Sequence, residues 1–278
     1  MRRRLSGLLF ATTVLTTTIA GSLLAGANPF AGFAGFVAGL PFSVSLLAIL
    51  GAHEMAHYLT SRRHGVKATW PLFIPAPFPP VGTFGALIRI KSIIPDRRVL
   101  LEIGVAGPVA GFLVALPLAA AGLAASQVEI VEAAGPGSGD GLYLGTSLVF
   151  LLLEKAVLGP LPENAQLYLH PVAFAAWFGF FVTAMNLIPV GQLDGGHVLY
   201  AIFGRRQRQV AKVLLFLFIP LGFFWPGWLF WGALLCFMGF GHPPLLNEER
   251  SLGRKQKILA WIALAVLVLT FTPAPFIV

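Results

Sequence analysis

Apolar runs long enough to cross a bilayer recur along this chain, and no other feature restricts its possible folds as severely. A hydrocarbon core takes about 20 apolar residues in a helix. Stretches at 8–26, 41–61, 99–125, 170–190, 209–225, 227–241 and 257–273 meet or approach that length. Inside lipid every backbone polar group must be satisfied within its own segment, so such runs are read as helices. Charged residues make up 11% of the chain, against about 25% in soluble domains, which excludes an ordinary soluble enzyme or a disordered chain. The net charge of +8 would suit a nucleic acid, but the basic residues sit at the ends of apolar runs, the pattern of membrane topology. No nucleic-acid partner is expected. Cys236 is the one cysteine, so a disulfide framework and a multi-cysteine metal site are both excluded.

Charge placement orients the spans, because cytoplasmic loops collect Lys and Arg. Arg2, Arg3 and Arg4 put the N-terminus inside. Arg62, Arg63 and Lys67 follow the second span, and Arg89, Lys91, Arg97 and Arg98 precede the third. Arg205, Arg206, Arg208 and Lys212 follow the fourth, and Arg250, Arg254, Lys255 and Lys257 follow the sixth. Only Lys155 falls on the other side, where the loop 126–167 carries Glu129, Glu132, Asp140, Glu154 and Glu163. This arrangement requires that the further apolar stretch 141–158 not cross, so it is read as a helix lying on the outer face. MRRR, an apolar stretch and Ala25-Gly26-Ala27 are similar to a signal peptide, but the stretch is long for one, and an uncleaved first span is expected.

Between the second and third spans the composition changes. Pro71, Pro75, Pro77, Pro79 and Pro80 forbid a helix. Then Ala86 to Lys91 alternates, with Ile88 and Ile90 on one face and Arg89 and Lys91 on the other, which is strand periodicity. A short hairpin within 68–95, near the cytoplasmic surface, is expected. The fold class is therefore an all-α polytopic membrane protein, with about seven transmembrane helices, a small membrane-associated β-hairpin and one non-spanning outer helix.

The second span contains His53, Glu54 and His57. Ionisable groups in a span are costly and expected to be paired. Positions 53 and 57 are one helical turn apart, so both imidazoles project from one face and can share a metal ion. Glu54 is offset around the helix and can reach a water at the metal without being a ligand. The alternative is two histidines bonded to carbonyls and a glutamate paired with an arginine, which leaves the metal spacing unexplained. Two histidines leave a tetrahedral zinc incomplete, and a third ligand must come from elsewhere. Glu102 lies one turn into the third span and can instead face the interface. Asp194 ends the fourth span, which runs in the same direction as the second, so the two can meet at one depth. Pro189, Gly191, Gly195 and Gly196 would unwind the backbone beside it; the competing role for Asp194 is a helix N-cap. Gly107 and Gly111 give the third span a Gly-x-x-x-Gly face for close approach, with the second span as the expected partner.

His53-Glu54-x-x-His57 in a span, with Asn186-x-x-Pro189 and Leu193-Asp194-Gly195 in a later one, resembles the site-2 protease family of intramembrane zinc metalloproteases. Gly82-Thr83-Phe84-Gly85-Ala86 and Ala106-Gly107-Pro108-Val109-Ala110-Gly111 resemble its bacterial and plastid-type members, and the resemblance covers roughly residues 41–204. It implies one zinc ion held by His53, His57 and Asp194, with Glu54 as general base and acid. It also implies substrate contacts from Asn186 and from the hairpin at Gly85 and Ala86. The implied substrate is a membrane protein with a transmembrane segment, cleaved at the cytoplasmic side of a bacterial or plastid membrane. A PDZ or CBS domain, common in the family, is not expected here. Residues 41–204 would form the metalloprotease core, 1–40 an N-terminal span and outer loop, and 205–278 accessory spans. His197 is either a support for the site or an interfacial residue, and His242 is read as structural. An ion transporter would place polar groups at several depths, and a di-iron hydroxylase would need more histidines than the six present. A non-catalytic relative is disfavoured by the full ligand set.

Overall fold

The computed structural model describes residues 2–130, 143–162, 164–241 and 244–277. Glu132, Asp140, Glu163 and His242 lie outside the described residues. The chain is mostly helical. The N-terminal part runs through α1 (Arg2–Leu24), a short α2 (Phe33–Val37) and α3 (Leu40–Arg63), then strands β1 (Leu72–Pro75) and β2 (Thr83–Leu87). The central part holds α4 (Arg97–Ala124), β3 (Gln127–Ile130), β4 (Tyr143–Leu144), α5 (Leu148–Leu158), β5 (Ala165–Tyr168), α6 (Pro171–Leu187) and α7 (Asp194–Phe203). The C-terminal part holds α8 (Gln207–Phe216), α9 (Phe218–Leu221), α10 (Gly227–Met238), α11 (Arg254–Thr270) and β6 (Phe276–Ile277). Among the described residues, three segments are long and apolar enough to cross a membrane: Arg4–Leu24, Phe33–Arg63 and Arg97–Ala124. The apolar helices α6 and α10 are shorter.

Two expectations change. The stretch 209–225 is not one helix but α8 followed by α9, interrupted at Leu217. Pro220 has no N–H to give the carbonyl of Phe216, so the ladder fails where hydropathy alone would continue it. The strand is also displaced. Alternation pointed to Ala86–Lys91, but the ladder pairs Leu72 with Leu87, Phe73 with Ala86 and Pro75 with Thr83. Beyond it only an isolated bridge, Ala68 with Ile90, carries the ribbon on. The register is set at the turn: Thr83 Oγ1 donates to the Ile74 carbonyl at 2.7 Å, and the Ala76 N–H donates to the Gly82 carbonyl at 3.1 Å. The ribbon also packs along α1. Thr16 Oγ1 in α1 donates to the Gly82 carbonyl at 2.7 Å, and Phe10 packs edge-on against Phe73. Irregular backbone alongside an apolar helix of this length is tolerated because such protein donors satisfy it.

Helices α3, α4 and α6 pack on one another and form the centre. Phe42, Leu46, Ile49, Ala115, Ala119, Phe174 and Phe180 bury one half of it. Leu100, Leu101, Ile103, Leu187 and Tyr200 bury the other, with Ala263 and Val266 of α11. A third cluster joins α6 to α9 and α10 through Phe181, Met185, Phe218 and Trp228. Pro171 opens α6 behind His170, whose ring accepts from the Val172 N–H; a proline at the first turn loses no helical bond. Helix α5 has 11 residues, about 16 Å long, roughly half a bilayer core.

Asp96 starts α4. Its Oδ1 accepts from the Arg98 and Val99 N–H groups at 2.9 and 3.0 Å, which satisfies donors that a helix start leaves open. Its Oδ2 meets Arg250 at 2.7 Å. Burial works to raise the Asp96 pKa, but the Val99, Arg250 and Arg98 donors outweigh it and hold the carboxyl below the usual aspartate value. Glu102 is likewise occupied: it accepts from His64 at 2.9 Å, Lys255 at 3.0 Å and Gln256 at 2.8 Å. It ties α3, α4 and α11 together and takes no part in the cluster described next.

Candidate metal centre

His53 and His57 sit one turn apart on α3, 4% and 5% exposed, with Glu54 at 7%. Their Nε2 atoms are 3.1 Å apart, and each lies 3.2 Å from Asp194 Oδ2. The three residues form a group able to hold one metal ion. Ligands about 2.0–2.1 Å from a tetrahedral zinc are spaced by about 3.3–3.4 Å, close to what is seen here. The tautomer also fits. The His57 Nδ1–H donates to the Ile103 carbonyl at 2.7 Å, so a neutral ring turns the lone pair of Nε2 toward Asp194. Lone pairs and a carboxylate oxygen facing one another at this distance repel unless a cation lies between them.

The chain geometry behind Asp194 follows from its small residues. Helix α6 ends at Leu187 and α7 begins at Asp194, with Gly191 between them in the left-handed region (φ +61°). A Cβ on Gly195 would lie 1.9 Å from the Leu187 carbonyl oxygen, so only glycine lets α7 restart there and turn its first carboxylate inward. Asp194 is the first residue of α7, and the N-cap position belongs to Leu193, so the competing N-cap role does not hold. At the other end of α7, Arg97 donates to the Ala201 and Ile202 carbonyls, satisfying acceptors that the helix end leaves open.

Helix α4 closes the centre from behind. A Cβ on Gly107 would meet His57 Nε2 at 2.1 Å, and one on Gly111 would touch His53 at 3.4 Å. The glycine pair therefore brings α4 against the histidines, as its spacing implied. Gly107→Ala is expected to push the His57 ring out of place and weaken zinc binding about 10- to 100-fold or more, the scale seen when a ligand loses its support. Zinc titration of the purified protein checks this, with Gly7→Ala, where a Cβ meets nothing within 4 Å, as the unaffected control.

The centre opens into a cavity of about 650 Å³. His53, Glu54, His57, Asn186, Asp194 and Ala86 all lie on its wall, and Gly85 does not. Asn186 Nδ2 is 3.4 Å from His53 Nε2. Glu54 faces Ile88 of the ribbon across this cavity, both residues lying on its wall. His197 also lines the cavity, which places it beside the site rather than at the surface. Sequence reasoning missed the Ile103 carbonyl, for which no side chain gives a signal, and the part of the wall formed by Ser92 to Ile94.

Residues 41–221 match the profile of Peptidase family M50. Among curated proteins, the chain is similar to "Probable zinc metalloprotease EGY1, chloroplastic" of Arabidopsis thaliana, 34% identical over 85% of this chain and 43% of that protein. It is similar to "Probable zinc metalloprotease EGY2, chloroplastic" of Oryza sativa subsp. indica, 32% identical over 82% of this chain and 42% of that protein. For "Probable zinc metalloprotease EGY3, chloroplastic" of the same source the identity is 28% over 84% of this chain and 42% of that protein. The chain thus spans less than half the length of these relatives. No solved structure matches it.

Proposed function

Since the chain belongs to peptidase family M50, the site-2 protease family, we propose that it is an intramembrane zinc metalloprotease that hydrolyses a peptide bond in or near the transmembrane segment of a membrane protein. The observation that carries this is the convergence of His53, His57 and Asp194 on one point beside Glu54, inside an apolar helical bundle. His53, His57 and Asp194 would hold the zinc, which when bound supplies Lewis acidity that acidifies water and polarises a carbonyl. Glu54 takes the proton from the attacking water and returns it to the leaving amine. The Asn186 amide donates to the substrate backbone. A helical substrate must unwind before attack, and the ribbon through Gly85, Ala86 and Ile90 offers it replacement backbone partners, as in strand addition. The bridge at Ala68 and Ile90 supports this. Lys91 N–H donates to the Lys67 carbonyl at 2.7 Å and Thr69 N–H to the Arg89 carbonyl at 2.9 Å. The groups of Ile90 itself therefore point away from that partner, as in a non-hydrogen-bonded antiparallel pair.

In this reading residues 41–204 are the protease core, with 1–40 and 205–278 as flanking spans. Helices α1, α3, α4, α6 and α11 cross the membrane. The short α8 and α9 together, and α10, complete about seven crossings. The zinc lies toward the face that gathers the basic residues, the cytoplasmic side of a bacterial membrane or its plastid equivalent. The test uses the full chain in detergent with a transmembrane-segment reporter. One zinc per chain and cleavage are expected; chelation should abolish cleavage and added zinc restore it. Cleavage that persists in the metal-free protein overturns the proposal.

A further inference from the structure

Several cations near the site are already engaged. Arg97 and Arg98 donate to carbonyls of Ala201, Ile202 and Ser251. Arg205, Arg250 and Lys255 pair with Glu248, Asp96 and Glu102. Arg89 and Lys91 differ: both are exposed, both line the metal-bearing cavity, and neither forms an ion pair among the described residues. They stand two residues apart on an extended segment, so they share one of its faces. Ile88, Ile90, Ile93 and Leu245 make much of the remaining wall apolar. The carboxylates on that wall, Glu54 and Asp194, are committed to the metal chemistry.

We infer that Arg89 and Lys91 set a charge preference: the protein selects membrane-protein substrates carrying acidic residues, spaced two apart, in the stretch that pairs along residues 86–91 next to the scissile bond. This rests on the metalloprotease reading above and names the substrate class for that same site. A substrate strand laid along this segment brings alternate side chains opposite Arg89 and Lys91. Opposite charges across a ladder attract and like charges repel, and displacement of water by the substrate strengthens both effects. A basic flank is thereby rejected as well as an acidic one accepted, which is how specificity is gained from repulsion.

The test uses the full zinc-loaded chain in vesicles of neutral phosphatidylcholine, with three reporters that differ only in the flank: Asp-x-Asp, Asn-x-Asn and Lys-x-Lys. Two cross-strand pairs correspond to roughly 2- to 30-fold in kcat/KM for the acidic over the neutral flank. The basic flank should fall below the neutral one. In the R89E/K91E double variant the order should invert, with Lys-x-Lys cleaved faster than Asp-x-Asp. Equal kcat/KM for all three reporters in the wild type overturns the charge preference while leaving the protease reading intact. An uninverted order in the double variant also overturns it, because the preference would then arise elsewhere. Failure to cleave any reporter, with zinc bound, sinks the protease reading and this inference with it.

Discussion

Glu54→Gln is expected to lower turnover of a transmembrane reporter by about 10²- to 10⁴-fold, the usual contribution of a positioned general base and acid, while one zinc per chain remains bound. The two halves of that expectation come from separate parts of the site. The atoms that converge are the Nε2 atoms of His53 and His57 and Oδ2 of Asp194. Glu54 is on the same helix but contributes no atom to the group, so losing its charge does not remove a ligand. The substitution keeps shape and volume in a residue only 7% exposed. Substrate binding should therefore change little, so the loss appears in kcat. What the amide cannot do is take a proton from water at neutral pH. Zinc content by elemental analysis and single-turnover cleavage decide the matter. A variant with turnover within about tenfold of the wild type removes Glu54 from the chemistry.

The histidine pair was legible because a helix repeats every 3.6 residues: positions 53 and 57 must share a face whatever surrounds them. Gly107 and Gly111 were legible for the same reason, and the Cβ positions at these glycines now show that α3 fills the space. Asp194 was legible from its breakers, since a proline and three glycines around one carboxylate cannot continue a helix. Glu102 was ambiguous, because its partners His64, Lys255 and Gln256 lie on other helices and nothing local announces them. The Ile103 carbonyl that orients His57 was invisible, since every residue carries the same acceptor. The strand was misplaced because alternation of side chains reports which faces differ, whereas pairing depends on the turn. Thr83 and its bond to Ile74 set that turn. At 209–225 mean hydropathy outweighed Pro220, and the missing N–H won.

Asp194→Ala is expected to cost both zinc and cleavage, which distinguishes it from the glutamine variant. Support groups around a metal ligand are worth about 10- to 100-fold in affinity, and removing the ligand itself should exceed that. The change also leaves two imidazole nitrogens 3.1 Å apart with no anion to offset a dication. The backbone should tolerate it, since α7 is capped at its far end by Arg97 and the restart of the helix depends on Gly195, not on the carboxylate. Circular dichroism should thus match the wild type while zinc falls well below one per chain. High zinc separates the two lesions. Filling a weakened site by mass action should return part of the activity to Asp194→Ala, because Glu54 is still present to move the proton. The same zinc should return nothing to Glu54→Gln, whose site is already full. Full zinc occupancy in Asp194→Ala at low zinc would mean that the third ligand lies elsewhere.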